Sequence, residues 1–298
     1  MSNYVTIAHD GGIAVLTLDN PPVNALGINL RTPLFAALET VRNDETVEAI
    51  VITCAGRTFI SGADISEFGT EKSSAKPDFH DLCVALEAQT KPVIAAIHGV
   101  ALGGGLEIAL CCHYRIADKQ AMVGLPEVKL GILPGAGGTV RLPRVAGPEK
   151  AVAMIASGTP VGAAEALASG IIDDVVEGDL KAAAIEFAKK KIADGGPHIL
   201  VRDRNEKIEA TRANPAAFEA AVKQATAKTR GLEAPLACAQ AVRNAVELPF
   251  DEALAKETEL FLHLVAGVQS QAQRHLFFAE REAGKVPGVG KDVTARSI

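Results

Sequence analysis

A triplet of glycines at 103–105 interrupts a long apolar run that extends from residue 92 to residue 112. The run is long enough to cross a membrane, but the glycines would break a helix there, and the Glu107 carboxylate would be costly in hydrocarbon. We therefore predict no membrane span. The run instead predicts a short buried strand at 93–97, followed by an apolar helix at 106–112.

The first half of the chain alternates strand-like and helix-like runs. Residues 13–18 and 49–53 are rich in apolar and β-branched side chains, as buried strands are. Residues 30–41 and 79–89 have the pattern of helices. This alternation predicts the α/β fold class.

Composition changes near the Gly-Gly-Pro sequence at 195–197, and from there to residue 285 the pattern is almost entirely helical. The last residues carry three glycines and a proline with little apolar content. We therefore expect an α/β core at 1–195, a C-terminal helical region at 196–285 and a linker or tail at 286–298.

Charge and cysteine content exclude several classes of protein. The formal net charge is −6 and no dense block of lysine and arginine is present, so nucleic acid is not an expected partner. The five cysteines are odd in number and have no CxxC or Cys/His spacing, which indicates free thiols in a reducing compartment and no metal site. The first ten residues lack the basic and apolar regions of a secretory signal, so we expect a cytoplasmic protein.

The glycine triplet and Glu107 form the first candidate for a functional site. Glycines at the start of a helix leave backbone N–H groups free at the positive end of its dipole, where an anion or a developing oxyanion can be held. Glu107 lies within the first helical turn among apolar neighbours, where burial would raise the pKa of its carboxyl towards the range useful for acid–base catalysis. The alternative is a carboxylate that supports the helix dipole from a partly wet edge.

A second carboxylate, Glu127, lies near another glycine-rich turn at 131–138. It is too far from Glu107 in sequence to share one helix face, so the two can meet only where the fold joins separate segments. Paired carboxylates suit acid–base chemistry on one substrate. Glycoside hydrolysis also uses such a pair, but the chain has no Trp and only two Tyr with which to line a sugar groove.

A loop at 56–68 follows the predicted strand at 49–53, and loops at the carboxyl ends of strands are where α/β folds bind ligands. The glycine sequences at 103–105 and 135–137 lack the third glycine of a dinucleotide fingerprint, and the chain has no P-loop motif. A Rossmann or P-loop nucleotide site is therefore not expected.

Three segments together resemble the crotonase superfamily, also called the enoyl-CoA hydratase/isomerase family. They read FISGADISEF, KPVIAAIHGVALGGGLEIAL and GLPEVKLGILPGAGGTVRLPR, in this order. The resemblance covers about residues 5–195 and continues more loosely through the C-terminal helices. It implies a crotonase-like ββα spiral core with a C-terminal helical extension.

The resemblance also implies roles for particular residues. The backbone N–H groups of Ala63 and Gly104 would form an oxyanion hole for a thioester carbonyl. Glu107 and Glu127 would add water syn across the C2=C3 bond of a trans-2-enoyl-CoA, with Glu107 activating the water and Glu127 exchanging the proton at C2. CoA is part of the substrate, so no separate cofactor is implied. The residues expected to contact CoA are Val23, Ala25, Leu26, Asp64 and Ile65.

Three shorter segments, NPPVNAL, DDVVEGDL and QRHLFFAER, are similar to the N-terminal half of multifunctional β-oxidation enzymes. In those enzymes a 3-hydroxyacyl-CoA dehydrogenase follows, so such a domain or subunit is an expected partner, and the chain would be either a separate unit or a piece cut at a domain boundary. Relatives combine hydration with Δ3,Δ2-enoyl isomerisation, and some form homo-oligomers. Two alternatives stay open: another crotonase-type acyl-CoA reaction, and a non-catalytic CoA-binding or docking module.

Overall fold

Two mixed β-sheets form the α/β part of the protein, whose computed structural model describes residues 4–283. The predicted linker or tail at 286–298 lies outside these described residues. The strands are β1 (Val5–Asp10), β2 (Ile13–Leu18), β3 (Ala49–Cys54), β4 (Val93–Ile97), β5 (Val100–Leu102), β6 (Tyr114–Asp118), β7 (Met122–Gly124), β8 (Val161–Gly162) and β9 (Asp174–Val176). The helices are α1 (Ile28–Arg42), α2 (Glu71–Ser74), α3 (Phe79–Glu87), α4 (Gly104–Cys111), α5 (Gly138–Ala146), α6 (Pro148–Ser157), α7 (Ala163–Ser169), α8 (Leu180–Asp194), α9 (Glu206–Ala213), α10 (Ala216–Thr226), α11 (Ala234–Glu247), α12 (Phe250–Ala266) and α13 (Val268–Ala283).

The larger sheet has the strand order β1-β2-β3-β4-β6-β9, and the smaller sheet has the order β5-β7-β8. β1 and β2 form an antiparallel hairpin, and the remaining neighbours in the larger sheet are parallel. Parallel pairing places the loop after β3 beside the loop after β4. There the Phe59 N–H donates to the His98 carbonyl (2.8 Å), and the Leu102 N–H donates to the Ile60 carbonyl (3.1 Å).

Alternate residues of the central strands fill two hydrophobic cores, one on each face of the larger sheet. Val51 and Ile94 pack with Ala184 of α8 on one face, while Ile50 and Ile52 belong to the larger core on the other. A strand that is covered on both faces is apolar at nearly every position. This is why β3 and β4 stand out in the sequence.

The α/β class predicted from the sequence is confirmed, and the predicted strands at 13–18 and 93–97 coincide with β2 and β4. The first strand, β1, has no clear sequence signal. It lies at the edge of the sheet, and among its residues only Val5 is buried, so it carries no continuous apolar run.

The apolar run at 92–112 divides into β4, β5 and α4 rather than forming one helix. Within residues 4–283, no helix is both long and apolar enough to cross a membrane. All five cysteines are buried free thiols.

The largest hydrophobic core extends without a break from the α/β part into the C-terminal helices. Phe218 of α10 and both Cys238 and Val242 of α11 belong to it. The division into a core at 1–195 and a helical region at 196–285 therefore does not correspond to two separate cores, and it stays a prediction.

The start of α4 approaches the loop after β3 so closely that only glycine fits at residue 105. A Cβ at Gly105 would lie 2.1 Å from the Ile60 carbonyl oxygen, a backbone atom that cannot move aside alone. We expect Gly105→Ala to lower the free energy of unfolding by about 3 kcal/mol, measured by urea denaturation. Gly162→Ala is the control, because its new Cβ would meet only the Met122 sulfur at 3.8 Å. Equal losses in both variants would contradict this account.

Candidate active site

A cavity of about 970 Å³ lies between the loops of the α/β part and helices α12 and α13. Five of the residues singled out in the sequence line it, although they come from three separate segments of the chain. They are Ala63, Asp64, Gly104, Glu107 and Glu127.

The backbone at Ala63 lies next to the start of α4. Gly104 is the first residue of α4, so its N–H group has no acceptor within the helix. A Cβ at Gly104 would lie 3.5 Å from the Ala63 nitrogen and 2.6 Å from the Phe79 ring, so a side chain at this position would fill the space between them. The loop that carries Ala63 is held by the N–H of Leu26, which donates to the Gly62 carbonyl (2.8 Å). This arrangement fits the proposed oxyanion hole.

Glu107 is a buried carboxylate in the first turn of α4, with its side chain directed at the glycine-rich turn before α5. Its Oε1 accepts hydrogen bonds from the N–H groups of Ala136 (2.8 Å) and Gly138 (2.9 Å). Burial raises the pKa of Glu107, and these two donors, which favour the ionised form, oppose that rise. The partly wet helix edge, which was the alternative for this residue, is not what the structure shows, since Glu107 is 3% exposed.

Glu127 follows β7, in the short 3₁₀ helix Glu127–Leu130. A Cβ at Gly103 would lie 2.7 Å from Glu127 Oε1, so the carboxyl packs directly against the glycine triplet. Its Oε2 is buried and has no hydrogen-bond partner among the described residues. Burial, followed by the nearby charge of Glu107, raises the pKa of Glu127 well above its ordinary value.

The two carboxyls therefore share one cavity but differ in their environments. Glu107 has two N–H donors that stabilise its negative charge, whereas the pKa of Glu127 is raised by burial and by the repulsion of Glu107. Different pKa values for two neighbouring carboxyls are the arrangement that lets one act as a base while the other acts as an acid. Within the described range, no group of three or more His, Cys, Asp or Glu side chains could hold a metal ion.

The residues expected to contact CoA divide into two groups. Asp64 lines the cavity, and its Oδ1 accepts from the N–H (3.0 Å) and the hydroxyl (2.6 Å) of Ser66. Among the described residues, the other four expected CoA contacts do not line the cavity. They are Val23, Ala25, Leu26 and Ile65. Leu26 is fully buried, and the segment at 23–26 pairs with the loop at 61–63.

No site residues were predicted in the C-terminal helices, yet several residues of these helices line the cavity. Leu254, Phe261 and Val265 of α12 and Arg274 of α13 are among them. Beside them Glu257 is 0% exposed, which sequence reasoning also missed. A signal was available, because Leu254, Glu257, Phe261 and Val265 follow one another at helical spacing on one face, and a lone carboxyl on an apolar face is unusual.

Several known proteins are similar to this chain. The family model described as "Enoyl-CoA hydratase/isomerase" matches residues 8–234. The chain is 46% identical over 276 residues to the "Peroxisomal bifunctional enzyme" of Danio rerio, an alignment that covers 92% of this chain and 37% of that protein. It is 36% identical over 286 residues to a "Glyoxysomal fatty acid beta-oxidation multifunctional protein" of Cucumis sativus, covering 93% of this chain and 39% of that protein.

Solved structures give the same result. The enoyl-CoA hydratase from Bacillus anthracis superposes with a TM-score of 0.60 at 30% identity, covering 80% of this chain and 96% of that chain. The chain spans less than half the length of the two multifunctional relatives. The crotonase-like α/β core with a C-terminal helical extension, which the resemblance implies, is confirmed, and the chain belongs to the enoyl-CoA hydratase/isomerase family, the crotonase superfamily.

Proposed function

We propose that this chain is an enoyl-CoA hydratase that adds water syn across the C2=C3 bond of a trans-2-enoyl-CoA in fatty-acid β-oxidation. The observation that carries the proposal is the pair of buried carboxyls with unequal environments, Glu107 and Glu127, beside two backbone N–H groups in one cavity. Membership of the family supports the same class of substrate.

The thioester carbonyl would accept hydrogen bonds from the N–H groups of Ala63 and Gly104. As the water oxygen bonds to C3, the C2=C3 electron pair moves towards the carbonyl oxygen, and the negative charge develops where these donors lie. Each such donor contributes about 3 kcal/mol to the stability of the charged intermediate. The dipole of α4 acts in the same direction, since Gly104 is at its N-terminus.

The two carboxyls would divide the proton transfers. Glu107, whose ionised form is stabilised by two N–H donors, takes the proton of the attacking water. Glu127, which burial and repulsion keep protonated, gives its proton to C2 as the enolate collapses. Both groups face the same cavity, so water and proton arrive on the same face of the double bond, and proton return from Glu107 to Glu127 resets the site.

A second candidate activity is the Δ3,Δ2 isomerisation of enoyl-CoA thioesters. It requires one ionised carboxyl that removes a proton from C2 and returns it to C4, while the oxyanion hole holds the charged intermediate. Glu127 would serve in the protonation state in which Glu107 holds the proton. The Glu127 Oε2 has no hydrogen-bond partner among the described residues, which favours this group as the shuttle. A homo-oligomeric state, a 3-hydroxyacyl-CoA dehydrogenase domain or subunit that consumes the product, and a cytoplasmic location stay predictions.

Glutamine substitution at each carboxyl tests the assigned roles. We expect Glu107→Gln and Glu127→Gln each to lower kcat by about 10²–10⁴-fold, because each variant loses one proton transfer. The measurement is the loss of the conjugated enoyl thioester absorbance with crotonyl-CoA and with a longer enoyl-CoA. Glu252→Gln, on the exposed side of α12, is the control. Undiminished hydration in both site variants would exclude these roles.

The isomerase activity has its own expected pattern. With a 3-enoyl-CoA substrate, Glu107→Gln should retain activity, since isomerisation needs no activated water, and Glu127→Gln should lose it. The measurement is the appearance of the conjugated enoyl absorbance. The reverse pattern would assign the proton shuttle to Glu107.

The pH dependence of kcat/KM should be bell-shaped. Activity falls as the pH decreases through the pKa of Glu107, because the base must be ionised, and it falls as the pH increases through the pKa of Glu127, because the acid must be protonated. Burial raises both values, so the low-pH limb should lie above the ordinary glutamate range of about 4.3. A profile that is flat from pH 5 upwards would contradict the assignment.

A further inference from the structure

Glu257 is a fully buried carboxyl that plays no part in the reaction described above. It projects from α12 of the C-terminal helices onto the glycine-rich turn at 135–139, which includes the first two residues of α5. Its Oε1 accepts from the Gly137 N–H (2.6 Å), and its Oε2 accepts from the N–H (2.9 Å) and the hydroxyl (2.5 Å) of Thr139. These contacts join residues more than a hundred positions apart in sequence.

Two carboxyls share the N–H groups of this turn in strict alternation. The N–H groups of Ala136 and Gly138 donate to Glu107, and those of Gly137 and Thr139 donate to Glu257. Four consecutive amides are thus divided between one carboxyl on each side.

The turn is joined to α5, since the Gly137 carbonyl accepts from the Arg141 N–H (2.8 Å), but its glycines leave part of its order to contacts outside it. It contains Gly135, Gly137 and Gly138, and Gly137 has a φ of +92°, a conformation that glycine adopts at little cost. Glycine backbones lose the most conformational freedom when they are ordered, so the turn depends on partners outside it. On the carbonyl side Arg141 Nη1 donates to the Ala136 oxygen (3.0 Å), and on the N–H side the two carboxyls are the partners.

The surroundings of Glu257 oppose the ionisation of its carboxyl. Burial and the charge of Glu107 raise its pKa to about 8, and the other groups that face it are Glu127, Cys238 and the Thr139 hydroxyl. The hydrogen bonds that Glu257 accepts from Gly137 and Thr139 oppose this rise, because they stabilise the ionised form.

We propose that Glu257 is a positioning residue. It holds the turn at 136–139 so that the amides of this turn fix Glu107 where it can take a proton from the attacking water. The expected effect of Glu257 on catalysis rests on the proposed function, whereas its expected effect on the order of the turn does not. Glu257 thereby makes helix α12 part of the acid–base machinery, in addition to its role as a wall of the cavity.

The kinetic test uses Glu257→Gln, which has nearly the same shape and keeps one acceptor oxygen, and Glu257→Leu, which removes both. Because Glu257 acts through Glu107, we expect kcat for crotonyl-CoA hydration to fall by about 10-fold in the glutamine variant and about 100-fold in the leucine variant, with KM changed less than about threefold. In a Glu107→Gln background the same substitutions should cost less than about threefold, because the group they position is gone. Glu252→Gln is the control on the same helix. Equal losses with and without Glu107, or no loss in a folded variant, would overturn the proposal.

A second measurement does not depend on activity. Amide hydrogen exchange at Ala136 and Gly138, followed by NMR, should be at least tenfold faster in Glu257→Gln than in the wild type or in Glu252→Gln. These amides bind Glu107 and not Glu257, so faster exchange would show that the turn is ordered from both sides. Unchanged protection would overturn the inference. If the wild type hydrates no enoyl-CoA but these amides still exchange faster in Glu257→Gln, the proposed function is excluded and the role of Glu257 in ordering the turn stands.

Discussion

The burial of carboxyl groups is the constraint on which the site depends. A carboxylate inside a protein is costly unless hydrogen-bond donors replace the water that it loses. Here four consecutive amides are divided between two carboxyls: those of Ala136 and Gly138 donate to Glu107, and those of Gly137 and Thr139 donate to Glu257. Helix α4, the turn that leads into α5 and helix α12 must therefore come together for both carboxyls to be satisfied. The cavity lies where these elements meet.

Close backbone approach is the second requirement, and it explains the glycines. Residue 105 leaves no room for a side chain against the Ile60 carbonyl, and residue 135 lies against the Phe261 ring, where a Cβ would come within 2.6 Å. The first contact seats α4 on the loop after β3, which carries Ala63. The second allows α12 to close over the turn. Both contacts serve the site as well as the packing of the fold.

Much of the fold and the two candidate carboxyls of the site could be predicted because the signals are local. Strands β2, β3 and β4 are buried on both faces, so their apolar character shows directly, and Glu107 and Glu127 stand beside glycine-rich turns. Strand β1 could not be found in this way, since it is largely exposed at a sheet edge. Glu257 was not predicted as a site residue, because its partners are distant in sequence and no glycine motif lies near it in α12.

The sequence by itself determined the family, the α/β class and the two carboxyls, since all of these follow from motifs and periodicity within short segments. Only the tertiary structure decided how readily each carboxyl gains or loses a proton. Their pKa values depend on burial, on the number of N–H donors and on the charge of one another, and each of these is set by residues that only folding brings together. The contribution of α12 was also decided in three dimensions. The helical spacing places Glu257 on an apolar face, but it does not tell which amides, far away in the sequence, the carboxyl will contact.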